Sequence, residues 1–121
     1  MELEQWAPVV ESPLYDVSTW GRVRRGEYAI ASWPNAKGYH LVSIELPSGR
    51  PVLRYVHRLV LEAFRGRDVG RPIANHDDTQ KGNNALENLT WSTTRTNVLH
   101  GRRRRLELEF GQRSLLALFV A

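Results

Sequence analysis

The chain has 121 residues with an apolar share of 41% and a charged share of 25%, which is typical of one compact domain with room for a small appended module. It contains no cysteine, so disulfides and thiolate metal ligands are excluded, and a reducing, cytoplasmic location is expected. The formal net charge of +4 and the pI near 10.0 favour a polyanionic partner.

The basic residues are mostly of one kind, since fifteen of the seventeen are arginine. The planar guanidinium fork of arginine matches pairs of phosphate oxygens and is less strongly hydrated than an ammonium group. A genome rich in GC would also enrich arginine. Composition therefore leaves both explanations open.

No membrane partner is expected. No apolar stretch approaches the length needed to cross a bilayer. The first residues, "MELEQWAPVVE", lack the basic and then apolar layout of a signal peptide.

The first half of the chain reads as short strands separated by turn residues. The predicted strands are "PVVE", "SPLYDVSTW", "RVRR", "EYAIASW" and "YHLVSIEL", with turns at Gly21, Gly26 and residues 34–38. In "YHLVSIEL", Val42 and Ile44 share one face of a half-buried strand. "PSGR" then predicts a hairpin turn into a strand "PVLRYV".

The hydrophobic period then changes from that of a strand to that of a helix. An apolar stripe with helical spacing begins at Val56, and Gly66 is a natural stop; its members are Val56, Leu59, Val60, Ala63 and Phe64. His57 is expected to begin this helix and to hydrogen-bond within the fold. A strand "IAN", a polar loop, a strand "NLTW" and a second helix from residues 92–93 to about 103 follow.

These elements predict an α+β fold. We divide it into a β-rich module at residues 1–50, a helix-containing unit at residues 51–105 and an apolar tail at residues 106–121. The tail is too short to span a bilayer and is expected to pack on the domain or on a second copy, which makes a homodimer a hypothesis.

The polar segment "ANHDDTQKGNNALENLTWSTTRTN", residues 74–97, carries the candidate chemistry. If its two strands pair and the helix packs across them, the side-chain oxygens of Asn75 and Asn97 converge on one divalent cation. His76 projects to the other side of the strand and can accept a proton from a water. Asn88 can tie the loop with its amide and fix the histidine, whereas Asn83 and Asn84 are interpreted as turn residues.

This segment resembles the ββα-metal motif of HNH endonucleases, in the branch common among phage free-standing and homing-type enzymes. The resemblance rests on "NH" at 75–76, "NN" at 83–84, "ENLTW" at 87–91 and "TN" at 96–97. The preceding helix "VHRLVLEAF" resembles the element that introduces the motif, and "WAPVVESPLYDVSTWGRVRR" at 6–25 is similar to a DNA-binding motif often fused to such nucleases. The match extends over about residues 6–100.

The resemblance implies that His76 is the general base, that Asn88 organises the loop, and that Asn75 and Asn97 bind a divalent metal ion, with Mg²⁺ expected and Mn²⁺ as the alternative. Many relatives have an aspartate at the position of Asn75. Three possibilities follow: weaker metal affinity, a contribution from Asp77 or Asp78, or loss of catalysis.

Two groups of arginines are candidates for contact with the DNA backbone: Arg22, Arg24 and Arg25 beside a predicted strand, and Arg102, Arg103, Arg104 and Arg105 after the predicted second helix. A solvated strand edge and a charged tail are the alternative interpretations.

The sequence thus predicts a metal-dependent endonuclease acting on double-stranded DNA. A monomer would nick one strand, and a symmetric dimer would cut both. The alternatives are a catalytically weak or inactive DNA-binding protein on the same scaffold, and a basic assembly or RNA-binding factor.

Overall fold

The computed structural model describes residues 3–93, which form three antiparallel sheets around one helix. The first sheet has the order β1 (Trp6–Val9), β2 (Ser12–Ser18), β3 (Val23–Arg25) and β4 (Tyr28–Ile30). The second contains β5 (Trp33–Pro34), β6 (His40–Glu45) and β7 (Pro51–Tyr55). The helix α1 (Val56–Arg65) leads to a third sheet of β8 (Ile73–His76) and β9 (Leu89–Ser92).

The described residues are therefore of the α+β class. The segment "EYAIASW" contains two strands, β4 and β5, which belong to different sheets. The prediction for β6 is confirmed, because Val42 and Ile44 are buried while Ser43 and Glu45 are exposed. The predicted second helix lies outside the described residues.

The helix α1 packs against more than one sheet, and this explains which of its residues are buried. It contacts β1, β2, β6 and β7 of the first two sheets and β8 and β9 of the third. The predicted stripe buries Val56, Leu59 and Val60. Outside that stripe, His57 and Leu61 are buried as well, so the buried face is wider than a single sheet would require.

The end of α1 is joined to the third sheet. Gly66 follows the helix with a φ of 69°, and its N–H donates to the carbonyl of Glu62. Its own carbonyl accepts a hydrogen bond of 2.8 Å from the indole Nε1 of Trp91 in β9. The guanidinium of Arg65 donates to the carbonyl of Leu89 at 2.7 Å. The helix thereby fixes the strand that returns from the polar loop.

The first and second sheets are also linked directly. The hydroxyl of Ser12 donates to the carbonyl of Glu45 at 2.6 Å, and the backbone N–H of Glu45 donates to the hydroxyl of Tyr15 at 3.0 Å. One hydrophobic core includes residues of β1, β2, β3, β6, α1 and β9. The packing is continuous across the three sheets.

The predicted boundary between residues 50 and 51 lies in the turn that joins β6 to β7. These two strands pair over five positions, from Leu41 opposite Tyr55 to Glu45 opposite Pro51. The boundary therefore does not coincide with a break in packing. The division of function among residues 1–50, 51–105 and 106–121 stays a prediction. Among residues 3–93 no helix is long and apolar enough to cross a membrane.

Candidate functional site

The third sheet presents the adjacent pair Asn75 and His76 at the end of β8. Because successive side chains of a strand point to opposite faces, the two residues face different surroundings. His76 is opposite Leu89 in the register and is buried, whereas Asn75 is opposite Thr90 and is half-buried. The predicted divergence of the two side chains is thus present in the structure.

The imidazole of His76 is held by one side chain of the loop between β8 and β9, here called the site loop (residues 77–88). Its Nε2 lies 2.8 Å from Oδ1 of Asn84, in a buried hydrogen bond. Since a carboxamide oxygen only accepts, this bond places the imidazole proton on Nε2. Within residues 3–93 no hydrogen bond is made to Nδ1, so the lone pair remains on that nitrogen. A neutral imidazole of this tautomer can accept a proton at Nδ1.

Asn88 ties the site loop as expected, although it ends a 3₁₀ turn (Leu86–Asn88) and does not begin the strand. Its Oδ1 accepts from the backbone N–H of Asp78 at 3.0 Å. Its Nδ2 donates to a carboxylate oxygen of Asp78 and to the carbonyl of Asn83, each at 2.9 Å. Its own carbonyl accepts from the N–H of Asp77 at 2.8 Å. One buried amide therefore fixes both ends of the loop.

Asp78 is committed to this network. Besides Asn88, its carboxylate accepts from the side chain of Asn83 and from the backbone N–H of Gln80. These donors, the amide of Asn83 foremost, lower the pKa of Asp78 below its usual value. The carboxylate is ionised at neutral pH, and its oxygens are used to shape the loop.

The site loop also includes a strained position. Thr79 has a φ of 63°, in the left-handed region that a β-branched residue rarely adopts. Its N–H donates to the carbonyl of His76 at 3.0 Å. A backbone conformation of this kind costs about 1–3 kcal/mol, and it is kept only where several surrounding interactions hold the residue in place. The hydrogen bonds of Asn88 and Asp78 supply that constraint.

Asn75 orients its amide through a neighbouring carboxylate. Its Nδ2 donates to Oδ1 of Asp77 at 3.4 Å, and the other oxygen of Asp77 accepts from the hydroxyl of Thr90 at 2.9 Å. Within residues 3–93 no donor contacts Oδ1 of Asn75, which is thus available as a hard oxygen ligand. The donor chemistry on this face fits a hydrated divalent cation. No group of three or more His, Cys, Asp or Glu side chains suited to a metal is present in the same residues.

The second predicted ligand, Asn97, lies outside the described residues. So do Arg102, Arg103, Arg104 and Arg105, and the apolar tail with its proposed dimer contact. For these positions the assignments stay predictions.

The three arginines of the first sheet are each paired with a carboxylate. Their partners are Glu4 for Arg22, Asp16 for Arg24 and Glu45 for Arg25. The guanidinium of Arg24 also lies over the ring of Trp6, at 3.9 Å from its centroid. Hydrogen bonding to Arg22 lowers the pKa of Glu4. These pairings favour surface charges that are already neutralised over contact with DNA, which stays a prediction. The alternative of a charged strand edge is wrong, because β3 is an inner strand, paired with both β2 and β4.

His57 and Asn84 are two residues whose roles the sequence patterns did not reveal. The ring of His57 packs against that of His76 with centroids 4.7 Å apart and stacks on Tyr39 at 5.4 Å. Among residues 3–93 its Nδ1 is buried without a hydrogen-bond partner, contrary to the expectation that it bonds within the fold. Burial lowers the pKa of His57 from 6.5 to about 3, and the neighbouring His76 and Arg58 act in the same direction.

The chain is similar to known HNH endonucleases. No protein-family model matches the chain. An uncharacterised HNH endonuclease of Acanthamoeba polyphaga mimivirus is 30% identical over 101 residues, which are 82% of this chain and 30% of that protein. A solved structure that reports DNA binding and cleavage by the HNH homing endonuclease I-HmuI matches with a TM-score of 0.74 and 28% identity, over 84% of this chain and 59% of that one.

The strand bearing Asn–His, the asparagine-tied loop and the returning strand thus occur in a chain that is similar, over more than four fifths of its length, to two HNH endonucleases. The chain spans 30% of the viral relative and 59% of the I-HmuI chain.

The neutral state of His57 predicts a loss of stability in acid. The pKa is depressed in the folded state, so the unfolded chain binds the extra proton as the pH falls below 6.5, and stability is lost down to about pH 3. Between pH 7 and pH 5 the free energy of unfolding should fall by up to about 2 kcal/mol from this residue.

Urea unfolding at the two pH values measures this loss. The variant His57→Phe should lose less stability than the wild type, and His40→Gln, at a half-exposed histidine of β6, is the control. Equal losses in the wild type and His57→Phe would show that His57 is not the group that titrates.

Proposed function

We propose that the protein is a metal-dependent endonuclease that hydrolyses phosphodiester bonds of double-stranded DNA, with His76 as general base. The observation that supports this most directly is the hydrogen bond between Nε2 of His76 and Asn84, which leaves Nδ1 as the basic nitrogen. The similarity to HNH endonucleases agrees with this assignment.

His76 has the two properties that a general base needs at neutral pH. It is oriented by a fixed partner at one nitrogen, and the other nitrogen carries a lone pair that can take a proton from a water. The rings of His57 and Tyr39 limit the rotation of the imidazole and exclude solvent from that side. A base held in this way loses little freedom when it acts.

Asn75 and Asn97 are the proposed ligands of a divalent cation, most simply Mg²⁺, with Mn²⁺ as an alternative. When bound, the cation would stabilise the negative charge that develops on the phosphate and on the departing 3′ oxygen. The amide nitrogen of Asn75 donates to Asp77, which leaves its oxygen as the atom available to a cation. Asp78 is engaged in the site loop, which leaves Asp77 as the nearer carboxylate on the side of Asn75.

The charge of the chain is unevenly distributed, and this supports backbone binding by the arginine run. Residues 3–93 contain eleven basic and ten acidic side chains, whereas residues 94–121 contain six arginines and two glutamates. The net charge of +4 thus comes mainly from the last 28 residues. We infer that Arg102, Arg103, Arg104 and Arg105 contact DNA phosphates, and that the paired arginines of the first sheet contribute less.

Cleavage of supercoiled plasmid in Mg²⁺ or Mn²⁺ tests the enzymatic proposal. The wild type should produce relaxed or linear DNA, and chelation should abolish this. The variant His76→Ala should be slower by about 10²–10⁴-fold, as expected for loss of a general base. The control His40→Ala, on a histidine whose side chain lies within hydrogen-bond distance of Ser32, should cleave at the wild-type rate.

Two other results would replace the proposal. Retardation of DNA in a gel without cleavage would indicate a DNA-binding protein on the HNH scaffold. Failure to bind duplex DNA at low salt would favour an assembly or RNA-binding factor. Relaxed product alone would indicate a monomer that nicks, and linear product at early times a dimer.

Asn75→Asp tests the metal-ligand assignment. An anionic ligand should lower the metal concentration needed for half-maximal cleavage by about tenfold, because a carboxylate binds a hard cation more strongly than an amide. Asp77→Asn is the matched variant, since it removes the carboxylate that orients Asn75 without changing the ligand itself. If Asn75→Asp leaves the metal requirement unaltered, Asn75 does not bind the ion.

Replacement of the four arginines at 102–105 by glutamine should flatten the salt dependence of duplex binding. Each lost phosphate contact removes about one unit from the log–log slope. The triple variant Arg22→Gln, Arg24→Gln, Arg25→Gln should change the slope less, because each of these cations already has a carboxylate partner. The reverse order of effects, measured by fluorescence anisotropy, would assign DNA binding to the first sheet.

A further inference from the structure

The site loop is in direct contact with a turn of the first sheet. The turn between β2 and β3 (residues 18–22, here the β2–β3 turn) approaches the loop at Gly21 and Thr19. The backbone N–H of Leu86 donates to the carbonyl of Thr19 at 2.8 Å. A Cβ placed on Gly21 would lie 2.7 Å from both the Cβ and the carbonyl oxygen of Asn84. The two segments are thus packed without room for one additional methyl group.

The turn itself is a defined structure with its own support. The hydroxyl of Ser18 is fully buried and accepts from the N–H groups of Trp20 and Arg22, each at 3.1 Å. The N–H of Gly21 donates to the carbonyl of Ser18 at 3.0 Å. Gly21 has a φ of +83°, which glycine adopts readily. The surface that meets Asn84 is therefore rigid.

Asn84 connects this surface to the histidine. It is buried, with 7% of its area exposed, and its Oδ1 is the hydrogen-bond partner of His76 Nε2. A buried side chain that is packed on one side and hydrogen-bonded on the other has little freedom to move. A displacement of Asn84 by even part of an ångström would thus be transmitted to the imidazole.

We propose that Gly21 and Asn84 are positioning residues for His76: the β2–β3 turn seats Asn84, and Asn84 fixes the tautomer and orientation of the imidazole. Neither residue contacts the reacting atoms. The inference rests on the proposed function for its catalytic consequence, but the orientation of His76 is a property of the folded protein without metal or DNA.

The variant Gly21→Ala tests the close approach, and the chain contains a matched control. Gly49, in the turn between β6 and β7, has a φ of +88°, and a Cβ there would meet nothing within 4 Å. Both alanine variants carry a similar backbone penalty, because both glycines have a positive φ, so any larger loss of thermal stability in Gly21→Ala reports on the contact with Asn84. Only Gly21→Ala should displace Asn84. Its single-turnover cleavage rate should fall by about tenfold to a hundredfold with KM unchanged, while Gly49→Ala stays within about twofold of the wild type.

Asn84→Ala and Asn84→Asp test the hydrogen bond separately, and they remain informative if Gly21→Ala does not fold. The imidazole ¹⁵N shifts of His76 in metal-free protein should show a proton on Nε2 in the wild type and in Asn84→Asp, which keeps an acceptor oxygen. In Asn84→Ala the two tautomers should be mixed, and the cleavage rate should fall as in Gly21→Ala.

The proposal is overturned if the wild type carries its proton on Nδ1, or if Asn84→Ala leaves both the ¹⁵N shifts and the cleavage rate unaltered. It is also overturned if Gly21→Ala and Gly49→Ala slow cleavage equally. A wild type that does not cleave DNA at all would refute the proposed function, and the ¹⁵N shifts alone would then decide whether Asn84 orients His76.

Discussion

The hydrogen bond between His76 Nε2 and Asn84 Oδ1 is the interaction on which the site depends. It decides which nitrogen of the imidazole carries the proton, and hence which nitrogen can accept one. The bond is buried, so its loss would leave two polar groups without partners at a cost of about 1–3 kcal/mol each. The elements around it maintain that 2.8 Å separation from two directions, the β2–β3 turn on one side and the strand β8 on the other.

The site is also shaped by the position of α1 between sheets. His57 belongs to the helix face that meets β8, so its ring contacts the ring of His76 directly. Its Nδ1, which has no hydrogen-bond partner within residues 3–93, lowers stability in a way that a phenylalanine would not. The helix also contacts strands of the first two sheets, and the first sheet carries the turn that touches Asn84. The helix thus links the two parts of the chain that form the site.

The sequence predicted those features that depend on local pattern. The alternation in β6, the onset of α1 and the hairpin that carries Asn75 and His76 follow from hydrophobic period and turn chemistry. Asn88 ties the loop as expected, but the side chain that is hydrogen-bonded to the histidine is that of Asn84 and not, as expected, that of Asn88. Asn84 was interpreted as a turn residue, because its position in the sequence does not distinguish it from the neighbouring Asn83. Only the folded loop shows that Asn84 is the hydrogen-bond partner of His76. The ββα-metal motif as a whole was recognisable only through its resemblance to the HNH endonucleases.

The contact between Thr19 and Leu86 joins positions sixty-seven residues apart along the chain. Closing so long a stretch costs entropy before the contact can offset it, so this junction is expected to form late, after the hairpins have assembled. Orientation of the histidine would then be one of the last events of folding. In a chain that has formed its sheets but not yet docked them, the imidazole would not yet be held by Asn84, so the proposed activity would appear only after docking.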